Sequence, residues 1–212
     1  MCVIVYSFRG KKEKEDNIKR MFEENPHGIG FAYKENQRII VKKGFMKLEE
    51  FLSFYKEFPE GIEHTIHFRL ASAGSVSPLF THPFSLDKIQ IPPETSFKSN
   101  IVLFHNGHIE YYPLLVHILP ALPKEQRKKL LSLNFSDTYI LSLYICIFKV
   151  PSVLAHLKSK FLVFSYSNTK IYGSWEKESE FYYSNTHWKP RKYFFTRSYL
   201  YDPIFKTTKN EE

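Results

Sequence analysis

Cys2 stands near the start of the chain, and Arg69, Asn106, Gly107 and Asp137 follow far downstream in the segments HFRLASAG, FHNGHIE and FSDTYIL. Once Met1 is removed, Cys2 carries a thiol and a free α-amine on one residue, a nucleophile with its base attached. A thiol with an ordinary pKa of about 8.5 is only a few per cent ionised at neutral pH. An α-amine near about 7.7–8.0 is poised to take its proton, directly or through a water. The remaining residue types supply the rest of an acyl-transfer site. The Asn106 amide beside the Gly107 N–H can hold a developing oxyanion, Arg69 can grip a carboxylate at two points, and Asp137 can grip an ammonium. Together they describe a site for a free α-amino acid bearing an attackable carbonyl.

With these residues in this order the chain resembles the class II glutamine amidotransferases of the N-terminal-nucleophile (Ntn) hydrolases. The resemblance rests on Cys2, on NPHGIGFAYK (25–34), RLASAG (69–74), HNGHIEYYPLL (105–115) and SDTYI (136–140), and covers roughly residues 2–170. It implies a glutaminase domain that releases ammonia through a cysteinyl thioester. Cys2 would be the nucleophile, Asn106 and Gly107 the oxyanion donors, Arg69 with Ser72 the carboxylate grip and Asp137 the ammonium grip. No metal or organic cofactor is implied. Two segments depart from the family's pattern. Where the family usually reads R-W-A-T-H-G, this chain has Leu70 for the Trp and Ala73 for the His; Val3 replaces the usual Gly after the nucleophile. A β-branched residue at position 3 stiffens the strand and is expected to narrow access to the thiol.

The 212 residues, 43% hydrophobic and 17% aromatic, suffice for a single domain with a sizeable core. We expect that core over about residues 2–185 and a basic aromatic extension over 186–212. Two cysteines, Cys2 and Cys146, make no disulfide framework. The first residues do not read as a signal peptide, and the most apolar run, YILSLYICIF (139–148), is about half a bilayer crossing. The expectation is a soluble cytoplasmic protein without a membrane partner.

The net charge of +8, from 30 Lys plus Arg against 22 Asp plus Glu, is spread along the chain and mixed with acids, as on a solvated surface. One stretch, KPRKYFFTRSYLYDPIFK (189–206), interleaves bases with aromatics, a composition that binds a single nucleic-acid strand or anchors an extension on its own domain.

Periodicity gives a coarse α+β order. CVIVYSF (2–8) reads as a core strand, EDNIKRMFEE (15–24) as a helix, and GIGFAYK with RIIVKKG as a hairpin about ENQ. Gly28 and Gly30 mark a place where the backbone runs close to something. KLEEFLSFYKEF (47–58) has one apolar helical face, HTIHFRLA (64–71) is a strand delivering Arg69, and 75–99 is a long loop. IVLFHNGHI (101–109) is a buried strand ending at Asn106-Gly107. Helices follow in 112–120, 123–133 and 136–149, and strands resume in KFLVFSYSN, TKIYGSW and EFYYSNT. The family resemblance sharpens this to a four-layer αββα sandwich of two stacked antiparallel sheets.

Each site residue also has a plain structural role open to it. Asn106-Gly107 is a hairpin-turn pair, and Asp137 after Ser136 is an ordinary first-turn acid. His64 and His67, like His105 and His108, are three apart and on a strand would face opposite sides, which argues against a metal site. Cys146 reads as packed and unreactive. The expected substrate is glutamine or another γ-glutamyl amide, with a separate synthase subunit as one destination for the ammonia. The competing reading is a binding or regulatory protein on the same fold, for which nucleic acid is one partner left open and not the favoured one.

Overall fold

The computed structural model describes residues 1–190. Strand β1 (Val3–Ser7) leads into helix α1 (Glu15–Glu24), the hairpin of β2 (Ile29–Glu35) and β3 (Arg38–Phe45), helix α2 (Leu48–Glu57) and strand β4 (His64–Phe68). Short strands β5 (Phe84–Ser85) and β6 (Ser96–Ser99) precede β7 (Ile101–Asn106). Helices α3 (Tyr112–Ala121), α4 (Lys124–Leu131) and α5 (Asp137–Phe148) come next. Strands β8 (Lys160–Ser165), β9 (Lys170–Tyr172), β10 (Glu176–Glu178) and β11 (Phe181–Tyr183) complete the described elements. The fold is α+β with two antiparallel sheets. One has the order β10-β11-β1-β4-β2-β3-β6, the other β5-β7-β8-β9.

The period-two alternation of each strand explains the stacking. Val3 and Val5 of β1 face one way, into a cluster with Ile18 and Met21 of α1 and Phe51 and Tyr55 of α2. Ile4 and Tyr6 face the other way, where they meet Val102 and Phe104 of β7 and Leu162 and Phe164 of β8. The opposite face of the smaller sheet, with Leu103, Phe161 and Val163, packs on Leu141 and Ile145 of α5. Helices, sheet, sheet and helix thus follow one another, an order compatible with a sandwich.

Helix α1 buries only Ile18 and Met21, which its spacing places on one face, and Asn25 stops it by donating its side-chain amide to the Met21 carbonyl at 3.0 Å. Helix α5 is apolar nearly all round because it lies between the smaller sheet and α3, with Ser136 accepting from the Tyr139 N–H at its start.

The glycine pair in β2 has a specific cause. A Cβ on Gly30 would lie 1.5 Å from the His82 carbonyl oxygen, so the 81–83 backbone crosses the sheet where only glycine admits it. Gly28, at φ 109°, lies under Thr81. The 75–99 segment is therefore less a loop than expected. It contains β5, which pairs with β7, and β6, which adds to the edge at β3. Strand β10, made of the exposed residues Glu-Lys-Glu, has no apolar pattern and was likewise absent from the periodicity.

Val3 also differs from expectation. Its side chain is buried against the helices, on the face away from the Cys2 thiol, and narrows nothing. The core runs past residue 185, because Trp188 is buried against Tyr183 and donates its indole N–H to the Asn185 carbonyl at 3.2 Å. Of the basic aromatic stretch, residues 191–206 lie outside the described residues. Among the described residues, no helix is long and apolar enough to cross a membrane.

Trp188→Ala should lower unfolding stability by about 3–5 kcal/mol, the usual cost of deleting a buried large aromatic. Denaturant titration reads this directly, and a change within about 0.5 kcal/mol would show that the core closes before residue 186.

Candidate active site

Antiparallel pairing brings five distant segments to one end of the two sheets. The start of β1 lies beside the end of β4, with Val3 opposite Phe68, and beside the end of β11. The end of β7 lies next to the start of β8, and the N-terminus of α5 closes on it from outside. A cavity at this end is lined by Cys2, Arg69, the 70–73 segment, His82, His105, Gly107 and the Ser136–Thr138 helix start. Cys2, Arg69, Ser72, Gly107 and Asp137 thus meet although up to 135 residues separate them, the difference between positions 2 and 137. The cavity measures about 20 Å³, room for about one water. A larger open groove of about 560 Å³, along Leu157–Lys160 and Ile171–Ser174, contains none of the five.

Cys2 Sγ is held by one residue through both polar groups of its backbone. It donates to the Leu70 carbonyl at 3.5 Å and accepts from the Leu70 N–H at 3.3 Å. Burial pushes the thiol above its ordinary pKa; the Leu70 N–H, the terminal ammonium and Arg69 pull it back, and Asp137 adds to the rise. Asn185 donates to the Cys2 carbonyl at 2.7 Å, so the residue is fixed by its main chain as well. Met1 is 65% exposed and precedes it at the surface, where its Cys2 bond leaves the Cys2 nitrogen as a peptide N–H.

Arg69 is 2% exposed, immediately after the end of β4. Its guanidinium donates to the Ser75 carbonyl at 2.7 Å and the Ala73 carbonyl at 3.1 Å, which fixes the turn through Gly74 at φ 75°. No carboxylate lies within ion-pair distance of it among the described residues. Burial lowers its pKa, opposed by Cys2 and Asp137. The departures at Leu70 and Ala73 therefore spare what the structure uses there: both residues act through backbone groups that any side chain would carry. Ser72 is exposed at the cavity wall without a hydrogen-bond partner among the described residues.

Asp137 is buried at the first position of α5. Its Oδ2 accepts from the Ile109 N–H at 3.0 Å, and its Oδ1 accepts from the Thr138 N–H at 2.7 Å and the Thr138 hydroxyl at 3.2 Å. Gly107, at φ 153°, is obligatory: a Cβ there would lie 2.4 Å from Ser159 Oγ and 3.0 Å from His105 Nε2.

Asn106 differs from expectation. It is buried next to the cavity rather than lining it, and its Nδ2 donates to Ser184 Oγ at 3.0 Å while Oδ1 has no partner. Ser184 Oγ also accepts from the Ile4 N–H at 2.9 Å, which leaves the serine O–H without an acceptor in this arrangement. Turning the amide by 180° would make the same contact a bond from the serine O–H to the Asn106 carbonyl and bring both Nδ2 protons to the unpartnered position, with one hydrogen bond in either form.

Sequence reasoning missed Ser184 and Asn185, whose signal was two polar residues directly after the aromatic strand EFYY. It also missed the imidazoles. His67 donates from Nε2 to the His105 carbonyl at 3.2 Å, and His82 stands 4.0 Å from the His67 ring with both nitrogens unpartnered. His64, on the opposite face, bonds Tyr55 and the Ile62 carbonyl, so His64 and His67 do face opposite sides. Among the described residues no group of three His, Cys, Asp or Glu has metal-holding geometry.

Burial holds these imidazoles neutral: His64 and His105 fall to about 4, His67 to about 3, and His82 well below its ordinary value. Unfolded imidazoles titrate near about 6.5, so the unfolded chain binds protons first as pH falls. The stability these groups contribute is complete above that value and is lost progressively toward pH 4. The melting temperature should therefore drop steadily from pH 6.5 to 4; a flat profile over that window would show that the histidines are not buried as described.

No protein-family model matches the sequence, and a search against curated proteins finds no match.

Proposed function

We propose that the protein hydrolyses the side-chain amide of glutamine, or of a related γ-glutamyl compound, through a thioester on Cys2, on a fold of the Ntn-hydrolase type. The observation that carries this reading is the meeting of a thiol, a buried guanidinium without a carboxylate partner among the described residues, a buried carboxylate and Gly107 on one cavity. Those four groups match the two ends of an amino acid and the reacting carbonyl between them.

In this mechanism removal of the exposed Met1 frees the Cys2 amine. The substrate carboxylate docks on Arg69, aided by the Ser72 hydroxyl, and its ammonium on Asp137. The amine takes the thiol proton, sulfur attacks the δ-carbon, and the Gly107 N–H with the turned Asn106 amide meets the oxyanion. The amine returns its proton to the leaving ammonia; water then displaces the sulfur, whose proton is restored. A thiol raised by burial needs such an adjacent base. Since a cavity of about 20 Å³ cannot hold an amino acid, the 70–75 segment moves aside on binding. The same closed cavity is what favours the second reading, a binding or regulatory protein without turnover.

A glutamine analogue with an electrophile at the δ-carbon should label Cys2 in protein whose intact mass shows loss of Met1, and spare Cys146, which is buried in α5. Equal labelling of the two cysteines on peptide mapping would remove the site assignment. Steady-state ammonia release separates grip from chemistry. Arg69→Ala should chiefly raise KM, since its contact exists in ground and transition states alike. Asn106→Ala should lower kcat by about 10²–10³-fold, the usual cost of one oxyanion donor. Absence of any ammonia release by processed protein would leave the binding reading in its place.

A further inference from the structure

His105, on β7, stacks on Phe161 with ring centroids 4.7 Å apart, and its Nδ1 lies 2.8 Å from Thr138 Oγ1. That hydroxyl is 3.2 Å from Asp137 Oδ1. With its proton directed to the Asp137 carboxylate, the Thr138 hydroxyl offers His105 a lone pair. That arrangement, one of the two the contact admits, puts the imidazole proton on Nδ1 and leaves Nε2 a bare lone pair. This Nε2 is buried, has no partner, and lies 3.0 Å from the point a Cβ on Gly107 would occupy. Phe161 stacking and the Thr138–Asp137 chain both resist its rotation. His82, although also unpartnered at the cavity, has no contact that fixes its tautomer.

We propose that His105 Nε2 is the hydrogen-bond acceptor for the leaving-group position of the amide reaction, and thus the residue by which this site distinguishes a side-chain amide from a carboxylate. The inference rests on the amidase reading above. With the substrate carbonyl oxygen on the Gly107 N–H, the other substituent of the same carbon falls beside Nε2. An amide presents N–H there and is accepted. A glutamate presents a second carboxylate oxygen, so lone pair opposes lone pair, and the product is disfavoured where the substrate is held. After ammonia leaves, the position belongs to the attacking water, whose O–H is accepted in the same way. No proton passes to the imidazole, which burial keeps neutral; the water proton goes to the Cys2 amine as its oxygen bonds the thioester carbon and the C–S bond breaks.

The test uses the Cys2→Ala chain lacking Met1, with glutamine and glutamate affinities measured by calorimetry. His105→Asn keeps a donor for Thr138 near the Nδ1 position and removes the acceptor. It should reduce the glutamine-to-glutamate affinity ratio by about tenfold or more, as expected when a site built to bond a substrate N–H loses its partner. His105→Gln, whose carboxamide reaches the Nε2 position, should restore part of the ratio. An unchanged ratio, or equal weakening of both ligands, overturns the proposal while leaving the amidase reading intact. If the Cys2→Ala protein binds neither ligand, both readings fall. Nitrogen NMR of the same protein needs no His105 variant. The His105 Nε2 resonance should be that of an unprotonated nitrogen and move with glutamine but not glutamate, and a proton on Nε2 would overturn the assignment.

Discussion

The register of β1 against β4 is the constraint on which everything else at this end depends. Val3 opposite Phe68 places Cys2 one step beyond the ladder, level with Arg69, and lets the N–H and carbonyl of the next residue, Leu70, both bond its sulfur. Because successive side chains alternate between faces, a slip of one residue would send Cys2 toward the α1–α2 cluster and Val3 toward the cavity. Both faces of β1 are buried, so the apolar residues on each oppose that slip. The same ladder delivers Arg69, and the β1–β11 pairing brings Ser184 and Asn185. A site assembled from strand ends inherits its precision from the sheet, not from the loops that reach it.

Polarity at this end is left unspent by the protein itself. Five of the eight buried polar atoms without partners among the described residues belong to His67, His82, His105 and Asn106. Two buried cations stand near them without carboxylates. Arg69 is tied only to carbonyls, and so is Lys43, whose ammonium donates to the Leu79 carbonyl at 3.0 Å and the Thr81 carbonyl at 2.9 Å. Burial, reinforced by Arg69, pushes Lys43 well below its ordinary pKa. Both groups are thus desolvated with only neutral partners, which disfavours their charged forms. Asp137 is buried at the same end.

Much of this was legible in the sequence, for reasons that differ by element. EDNIKRMFEE and GIGFAYK read correctly because their apolar residues serve one face each, and Gly28 and Gly30 announced a close approach that the 81–83 backbone makes. Cys2, Arg69, Ser72, Gly107 and Asp137, grouped from residue type, order and the family resemblance, do line one cavity, with Asn106 beside it. What stayed hidden has a common physical cause. Strands β5 and β6 are short and polar, formed because an edge was there to pair with, and edge pairing leaves no periodic trace. Ser184 and Thr138 have partners fixed only by tertiary contact, and His82 reaches the cavity only through the 81–83 crossing. The direction of the Asn106 amide depends on Ser184, 78 residues away, which no local pattern encodes.

At positions 70 and 73 the contacts are made by the main chain, so they do not depend on which side chain stands there. The sulfur is gripped by the N–H and carbonyl of residue 70, and Arg69 by the carbonyl of residue 73. What the backbone does there depends on the turn, and the turn depends on Gly74, where a Cβ would meet the Phe135 carbonyl oxygen at 2.5 Å. The packing of residues 73–75 against 134–136 links this turn to the start of α5, since Ser75 N–H donates to the Asn134 carbonyl at 3.0 Å. Arg69 and Asp137 are thereby joined through one strap of main chain. A displacement of the 70–75 segment would have to break or carry that link, so Arg69 and Asp137 would respond together rather than singly. Binding at either group then bears on the geometry of the other.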